Sequence, residues 1–375
     1  MNGPTGTTRV VLACSGLDHA KRGFESFARE CFDVLKHNPE LDIELVKGSG
    51  APGDRERSVP TLTRESPLAH ALGRATRREP FRFEQFEFAF SLLPALLRSK
   101  PDVVYFSEWH TGLGLGLLRR LTRARWKLVL CNGTMMLERF GHLDRVQQLT
   151  PPALEAALER GANPARQVML PLGFAIEPEL ELPSGADRTA LRDRLGLPRE
   201  RRIVLSSAAL NRHHKRLHYL IEEVARIPEP ERPFLLMAGE PEAETDGIRA
   251  LARERLGADG HSIRTVPQRE VPDLHHASDV FVLASLGEGL PRALIEALAN
   301  GMPCLTHDYG VTRYALGDHG RYGDFTNPGA LAALIQHEPA RDPAEERARH
   351  RYAYEKFGWD RLVPSYVEML RGAAK

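Results

Sequence analysis

The feature that most constrains this chain is the alternation of short, continuous apolar segments with amphipathic helical segments from end to end. Within most of the apolar segments the hydrophobic residues run consecutively, which is typical of parallel strands covered by helices on both faces. The predicted strands are residues 10–14, 41–46, 102–107, 127–132, 167–174, 203–210, 234–239, 263–267, 280–285 and 303–307. The alternation fills both halves, so the sequence predicts an α/β protein of two doubly wound, Rossmann-like domains facing across a cleft.

Residues 177–186 (EPELELPSGA) interrupt this alternation with two prolines and a glycine. The sequence therefore predicts an N-terminal domain over residues 1–178 and a C-terminal domain over residues 179–356. Two helical faces can be read from apolar spacing. One consists of Leu217, Leu220, Ile221 and Val224. The other consists of Phe83, Phe86, Phe90, Leu93 and Leu97, with Pro94 expected to kink that helix.

Composition excludes several classes of function. The 375 residues carry 51 basic and 50 acidic side chains, so the net charge of +1 gives no reason to expect a nucleic acid partner. The four cysteines have neither metal-like nor disulfide-like spacing, which favours a reducing, cytoplasmic setting. No apolar segment approaches the roughly 20 residues that span a bilayer, and the first residues do not resemble a signal peptide.

The sharpest candidate site follows the strand predicted at residues 280–285. Gly287, Glu288 and Gly289 form a loop, and Pro291 is predicted to open a helix whose amides and dipole favour a phosphate. Glu296 lies about 7.5 Å further along that helix, a suitable reach from a phosphate to ribose hydroxyls. Glu288 would hold sugar hydroxyls from the loop. The alternative is an ordinary strand–loop–helix with two solvent-facing glutamates.

A second cluster follows the strand predicted at residues 203–210. Arg212 and Lys215 stand where a cation would neutralise the charge on a departing diphosphate. The alternative is a solvated basic turn. The neighbouring pairs His213/His214 and His275/His276 lack the spacing of a zinc site, so we interpret them as surface residues. No Asp-x-Asp triplet or P-loop is present, and no metal site or cofactor is predicted.

In the first half, candidate residues also follow predicted strands. Gly23 belongs to a glycine loop after the first strand, with a simple turn as the alternative. Glu108 and His110 follow the strand at residues 102–107, and Asn132 ends the next. We predict possible acceptor or sugar contacts for Glu108 and His110, while a hydrogen-bonded structural histidine is the alternative for His110. Residues 74–90 mix arginines with aromatics and would suit a polyol, an aglycone or a membrane surface. A solvated loop entering a core helix is the favoured interpretation.

The segment around Glu288 resembles the family four retaining glycosyltransferases, which have the GT-B fold. Glu288 and Glu296 are separated by seven residues within the frame E-G-L-P…E-A-L-x-x-G-x-P. Residues 170–174 (LPLGF) resemble an interdomain segment of that family, and residues 22–25 (RGFE) resemble its first glycine loop. Residues 358–370 resemble its terminal helix. This last similarity implies that residues from about 357 to 375 complete the N-terminal domain, which would bind the acceptor.

By this resemblance, Glu288 contacts the donor sugar and Glu296 the ribose. Lys215 and the backbone of Gly289 and Leu290 bind the diphosphate, and Gly23 lies near the diphosphate or the acceptor. The chain departs from the family in having Leu210 in place of an arginine and Asn132 in place of a histidine. Asparagine can orient a sugar but cannot take up a proton near neutral pH. Front-face transfer, in which the leaving phosphate accepts the acceptor's proton, needs no such base.

These observations predict a metal-independent, retaining glycosyltransferase with Glu288, Lys215 and Asn132 as catalytic residues. Its donor would be a nucleotide-diphosphate sugar and its acceptor a small molecule, a glycan or a lipid-linked molecule. A peripheral membrane contact is left open but not favoured. The alternatives are a nucleotide-sugar epimerase or phosphorolytic enzyme of the same fold, and a non-catalytic nucleotide-sugar-binding protein.

Overall fold

The computed structural model describes residues 6–20, 23–133 and 141–375, and the chain divides into two compact units. Unit 1 consists of the chain up to Ala175 together with Phe357–Lys375, and unit 2 is Ile176–Lys356. The division therefore falls three residues before the predicted one at 178/179. Within the described residues, no helix has both the length and the apolar character needed to cross a bilayer.

Unit 1 is built on a seven-stranded parallel sheet in the order β3-β2-β1-β4-β5-β6-β7. Its strands are β1 (Thr8–Cys14), β2 (Leu41–Lys47), β3 (Glu56–Ser58), β4 (Val103–Phe106), β5 (Lys127–Asn132), β6 (Arg145–Gln148) and β7 (Gln167–Met169). Its helices before the linker to unit 2 are α1 (Gly23–Leu35), α2 (Pro67–Thr76), α3 (Pro80–Ser91), α4 (Leu93–Ser99), α5 (Trp109–Thr122) and α6 (Pro151–Glu159). The order places the carboxyl ends of β1, β4 and β5 side by side, the usual ligand edge of such a sheet.

Unit 2 repeats this plan with a six-stranded parallel sheet in the order β10-β9-β8-β11-β12-β13. Its strands are β8 (Ile203–Ser207), β9 (Phe234–Ala238), β10 (His261–Arg264), β11 (Val280–Leu283), β12 (Cys304–His307) and β13 (Gly320–Gly323). Its helices are α7 (Gly185–Arg194), α8 (Leu217–Arg226), α9 (Thr245–Leu256), α10 (Val271–Ala277), α11 (Arg292–Ala299), α12 (Gly310–Leu316), α13 (Ala330–His337) and α14 (Pro343–Phe357), which ends at the boundary. The predicted α/β class with two doubly wound sheets is confirmed.

Three strands escaped prediction because their sequences are polar or short: β3, β6 and β13. The β6 sequence RVQQ buries Gln147 and Gln148 completely. The Gln147 amide accepts a hydrogen bond from the Tyr105 hydroxyl (2.5 Å) and donates to the Leu170 carbonyl (2.8 Å). Such bonds remove most of the cost of burying a polar group. Apolar patterning alone could not indicate this strand.

The predicted apolar face of α3 and α4 is wrong for three of its five residues, while Leu93 packs against the core and Phe83 is half-buried. The structure buries Phe88, Ala89, Leu92 and Leu96 in the core of unit 1, whereas Phe86, Phe90 and Leu97 are exposed. The chain restarts as α4 at Leu93, immediately before Pro94, as the proline requires. By contrast, the predicted face of α8 is confirmed, since Leu217, Leu220, Ile221 and Val224 all lie in the core of unit 2.

The last helix, α15 (Trp359–Ala374), belongs to unit 1. Gly358 separates it from α14 with an extended backbone, while Pro364 lies within it. The Phe174 amide donates to the Phe357 carbonyl (2.9 Å) and the Trp359 amide to the Phe174 carbonyl (3.1 Å). A side chain on Gly173 would come within 2.4 Å of the Trp359 ring, so the glycine allows this close packing.

Candidate functional site

Two of the predicted catalytic residues meet at the carboxyl edge of the sheet in unit 2. Lys215 follows β8 and Glu288 follows β11, and these strands are neighbours. The Lys215 Nζ lies 2.5 Å from Glu288 Oε1, and the His214 Nε2 lies 3.4 Å from Glu288 Oε2. The two paired side chains are only 18% and 9% exposed. Because partly buried ion pairs contribute little net stability, this pair at a ligand edge points to a binding role.

The loop before α8 holds Lys215 in place. The Asn211 side-chain oxygen accepts hydrogen bonds from the His214 amide (3.1 Å) and the Lys215 amide (2.7 Å). Arg216 has a φ of 52° and donates from Nη1 to the carbonyls of Ala284 (3.2 Å) and Phe325 (3.1 Å). The sequence prediction missed both residues. An asparagine in a turn was the available signal for Asn211, and nothing in the sequence indicated Arg216.

The structure does not bring Arg212 into the Lys215–Glu288 pair. Arg212 is exposed, and its backbone amide donates to Glu244 Oε2 (2.7 Å). Leu210, in the position of the family arginine, is 1% exposed in the hydrophobic core of unit 2. Its side chain therefore contributes packing and no charge.

The helix after Glu288 begins one residue later than predicted. Pro291 is the N-cap of α11 and the helix starts at Arg292. Gly289 and the buried Leu290 directly precede it. The helix dipole favours negative charge at a helix N-terminus, so this terminus suits a phosphate. One turn on, Glu296 Oε1 lies 3.4 Å from Arg292 Nη2 and Oε2 lies 3.4 Å from Gln268 Nε2.

A tyrosine that the sequence analysis did not single out also lies at this edge. Tyr309 follows β12 and is the N-cap residue of α12. Its ring stacks on His307 at a centroid distance of 5.8 Å. Burial and then the nearby Glu288 carboxylate raise the pKa of Tyr309. The hydroxyl is therefore a neutral group beside the Lys215–Glu288 pair.

Unit 1 holds a separate hydrogen-bonded cluster at its own ligand edge. The Glu108 carboxylate accepts from the Ser15 amide (3.0 Å), the Ser15 hydroxyl (2.5 Å) and the Thr111 hydroxyl (3.0 Å). Glu108 is 6% exposed, and burial raises its pKa to about 7, although the bonds from Ser15 act in the opposite direction. The carboxyl group of the predicted contact residue Glu108 is therefore hydrogen-bonded within unit 1, and its pKa lies near neutral pH.

Ser15 also joins Glu108 to a buried ion pair. Its hydroxyl lies 2.9 Å from Glu84 Oε1, and Glu84 is paired with Arg64 and His19. Burial by itself would raise the pKa of Glu84, but hydrogen bonds from Arg64 and His19 hold it well below its usual range. His19, Glu65 and Glu84 place possible metal-ligand atoms within 4.8 Å of one another. The Glu84 carboxylate, however, already neutralises a guanidinium group.

The remaining predicted residues of unit 1 make other contacts. His110 Nδ1 is 3.2 Å from Gln85 Oε1, and burial, Arg82 and Arg78 lower the pKa of His110. Asn132 is buried at the end of β5, and its Nδ2 donates to Gln148 Oε1 (2.9 Å). Gly23 is the first residue of α1. Arg22, which precedes it in the predicted glycine loop, and residues 134–140, which follow shortly after Asn132, lie outside the described residues.

One histidine was misassigned as a surface residue. His275, on α10, is fully buried, with its ring 6.0 Å from the ring of Phe281 on β11 and Asn300 Nδ2 3.1 Å from its Nδ1. Burial lowers the pKa of His275 to about 3, so the ring is neutral. His213, by contrast, is exposed.

We expect Glu108→Gln to remove a pH dependence from the stability of unit 1. The folded-state pKa lies above the ordinary value of 4.5, so folding favours the protonated form. The contribution of Glu108 to the wild-type free energy of unfolding should therefore be fully present below about pH 4.5. It should be lost as the pH rises through about 7, which lowers the free energy of unfolding by roughly 3 kcal/mol at most. Urea unfolding followed by tryptophan fluorescence checks this, because all three tryptophans belong to unit 1.

The matched control is Glu159→Gln, at an exposed position on α6. This variant should keep the wild-type pH dependence. Equal slopes for wild type and Glu108→Gln between about pH 5 and pH 8 would show that Glu108 titrates at its ordinary pKa.

Comparison with known proteins gives this geometry a context. Residues 187–355 match the family model described as "Glycosyl transferases group 1". The putative teichuronic acid biosynthesis glycosyltransferase TuaC of Bacillus subtilis is 32% identical over 154 residues, which cover 40% of this chain and 36% of that protein. The putative glycosyltransferase EpsF of the same organism is 29% identical over 82% of this chain and 77% of its own length. The chain spans about half or less of the length of the first five curated relatives it matches.

Solved structures resemble the whole chain. HepE of Anabaena, crystallised with UDP and glucose, matches with a TM-score of 0.73 at 16% identity, over 97% of this chain and 100% of that chain. At this level of identity the likeness concerns the fold alone. It confirms the predicted class of two Rossmann-like domains known as GT-B.

Proposed function

We propose, from the match of residues 187–355 to the group 1 glycosyltransferases, that this chain is a retaining, metal-independent glycosyltransferase using a nucleotide-diphosphate sugar. The observation that carries the proposal is the Lys215–Glu288 pair beside the N-terminus of α11. It combines a cation, a carboxylate and a helix N-terminus at the carboxyl edge of one parallel sheet. These are the groups that a diphosphate and a sugar require.

The proposed roles follow from charge. Lys215 and the first amides of α11 hold the diphosphate and stabilise the charge that grows as it leaves. Glu288 accepts hydrogen bonds from sugar hydroxyls, and Glu296 from the ribose. The bond between the sugar C1 and the phosphate oxygen breaks while a bond from C1 to the acceptor oxygen forms on the same face. The acceptor's proton passes to the leaving phosphate oxygen, so no side chain has to act as the base.

Arg212 keeps a proposed role as a solvent-facing cation near the diphosphate, although it does not touch Glu288. We assign acceptor binding to unit 1, where Glu108 and His110 remain the predicted acceptor or sugar contacts. Asn132 keeps its predicted catalytic role of orienting the sugar, and Gly23 its predicted place near the diphosphate or the acceptor. The HepE complex supports a UDP-sugar as the first donor to try. The acceptor is proposed to be a small molecule, a glycan or a lipid-linked molecule.

A thermal-shift panel of nucleoside diphosphates and their sugars, with and without EDTA, tests donor binding. A true donor at a hundredfold excess over its Kd should stabilise the protein by about 2.7 kcal/mol, equally in both conditions. Transfer assays followed by NMR of the product should then show retention at C1. Loss of binding in EDTA, or an inverted product, would contradict the proposal.

The same assays separate the alternatives. Conversion of the donor without an acceptor indicates an epimerase, and a sugar phosphate formed only with inorganic phosphate indicates a phosphorolytic enzyme. Binding without turnover over a broad acceptor panel indicates a binding protein. The observation that favours this last alternative is Leu210, which is buried and supplies no charge at the position of the family arginine.

A further inference from the structure

Unit 1 exposes a row of large apolar side chains on adjacent helices. Six of these side chains, each between 39% and 70% exposed, form what we call the α3–α5 face: Phe86, Phe90, Leu97, Leu113, Leu117 and Leu121. Single exposed leucines are ordinary on a protein surface, but a contiguous apolar patch marks an interaction site. None of these side chains takes part in the candidate sites described above.

The contacts between α3 and α5 make the face continuous. The Thr111 hydroxyl donates to the Gln85 carbonyl (2.9 Å), and a Cβ on Gly114 would lie 2.5 Å from Ala89 Cβ and 3.8 Å from a Phe86 ring carbon. The glycine thus brings α5 directly against the turn that carries Phe86. The Phe86 and Phe90 rings lie 5.3 Å apart.

The leucines of α5 continue this surface. Leu113, Leu117 and Leu121 are spaced four residues apart, so they share one side of the helix and extend about 12 Å along it. The close approach of Gly114 to Phe86 sets α5 directly against α3, so the exposed side of α5 that carries the leucines continues from the exposed side of α3. Leu97 lies on α4, the short helix that follows α3 directly in the chain.

Arginines border both ends of the α3–α5 face. Arg78 and Arg82 lie at the start of α3, close enough to His110 to lower its pKa. Arg98 and Arg120 lie near the ends of α4 and α5. All four are exposed, and within the described part of the chain no carboxylate pairs with them. An apolar centre with guanidinium groups at its edges is the pattern of a surface that lies on an anionic membrane.

The acidic groups nearby do not cancel this charge. Glu87 turns its carboxylate to the Leu62 amide (2.9 Å) and the Ser91 hydroxyl (2.6 Å), and Glu84 is buried with Arg64. Glu79, the N-cap of α3, is exposed but lies beside Arg78 in the chain. A second copy of this chain would bring like-charged arginines together, which opposes self-association through the face.

We propose that unit 1 docks through the α3–α5 face onto the anionic surface of a lipid bilayer, with its leucines and phenylalanines among the acyl chains and its arginines against lipid phosphates. The proposal rests on unit 1 and does not depend on the proposed function. The experiment that tests it measures lipid binding, so an absence of transfer activity would not contradict the membrane proposal.

Flotation of the full chain with lipid vesicles tests this. Wild type should float with mixed phosphatidylcholine–phosphatidylglycerol vesicles and much less with phosphatidylcholine alone. The triple variant Phe90→Ser, Leu117→Ser, Leu121→Ser should lower partitioning at least about tenfold. Arg82→Gln with Arg120→Gln should lower it by roughly tenfold on the mixed vesicles and remove most of its salt dependence.

The control Leu158→Ser alters an exposed leucine on α6, away from the face, and should partition like wild type. If the triple variant unfolds on heating earlier than wild type, the single change Leu121→Glu at the most exposed position replaces it. No flotation of wild type, or equal flotation of the face variants and Leu158→Ser, would overturn the proposal. So would a lipid-free dimer in sedimentation velocity that the triple variant abolishes, since the occupant would then be a second copy.

Discussion

Replacing Lys215 by alanine is expected to lower kcat/KM for sugar transfer by roughly 10²- to 10³-fold, because the enzyme loses a preorganised positive charge that stabilises the leaving diphosphate. The effect should fall mainly on kcat, since negative charge on the phosphate oxygen grows as the C1–O bond breaks. Steady-state kinetics with the donor identified by thermal shift provide the measurement. Lys215 follows the end of β8 in the chain, outside the hydrophobic core, so the fold should persist.

The matched control for this change is Arg249→Ala. Arg249 is also a cation of unit 2, but it is 52% exposed and its ion pair is with the exposed Asp246. Its loss should leave kcat/KM unchanged. A Lys215→Ala enzyme with wild-type turnover would exclude the lysine from the reaction and make its pairing with Glu288 purely structural.

Replacing Glu288 by glutamine is expected to lower kcat by roughly 100-fold. The amide keeps the shape of the side chain, but hydrogen bonds to an uncharged group are about half as strong as those to a carboxylate. The change also leaves the Lys215 ammonium without a compensating negative charge in a largely buried position. Transfer assays at saturating donor, combined with the melting temperature, separate a loss of catalysis from a loss of folding.

Glu254→Gln is the control for Glu288→Gln, because Glu254 is an exposed carboxylate of the same unit, on α9. It should behave as wild type. The double variant Lys215→Ala, Glu288→Gln should lose little more activity than Lys215→Ala alone, since residues in contact act as a unit. Losses that multiply instead would mean that the two side chains act independently.

Much of the fold could be predicted from local patterns. Continuous apolar segments indicate parallel strands because both faces of such a sheet are covered, and this held for the strands around Val10, Phe234 and Val280. The loop before α11 could be located because strand, glycine loop and helix follow one another directly in the chain.

Other features could not be predicted from the sequence, because the spacing of apolar residues describes one segment at a time and not what packs against it. The pattern of Phe86, Phe90 and Leu97 suits a buried face as well as an exposed one, and only the packing of α5 decides that Phe88 and Ala89 face the core. Gln147 is buried because Tyr105 and Leu170, distant in sequence, satisfy its amide. His275 looked like a surface residue until its neighbours in space were known.

By itself the sequence determined the α/β class, the repetition of the doubly wound plan and the segments from which a donor site would be built, because these depend on periodicity and local chain geometry. Tertiary structure alone decided which of those residues meet. Lys215 and Glu288 are 73 positions apart and come into contact because the strand order places β8 beside β11. Tertiary structure also decided that the face of α3 with Phe86 and Phe90 is exposed, since burial depends on what packs against a face and not on its composition.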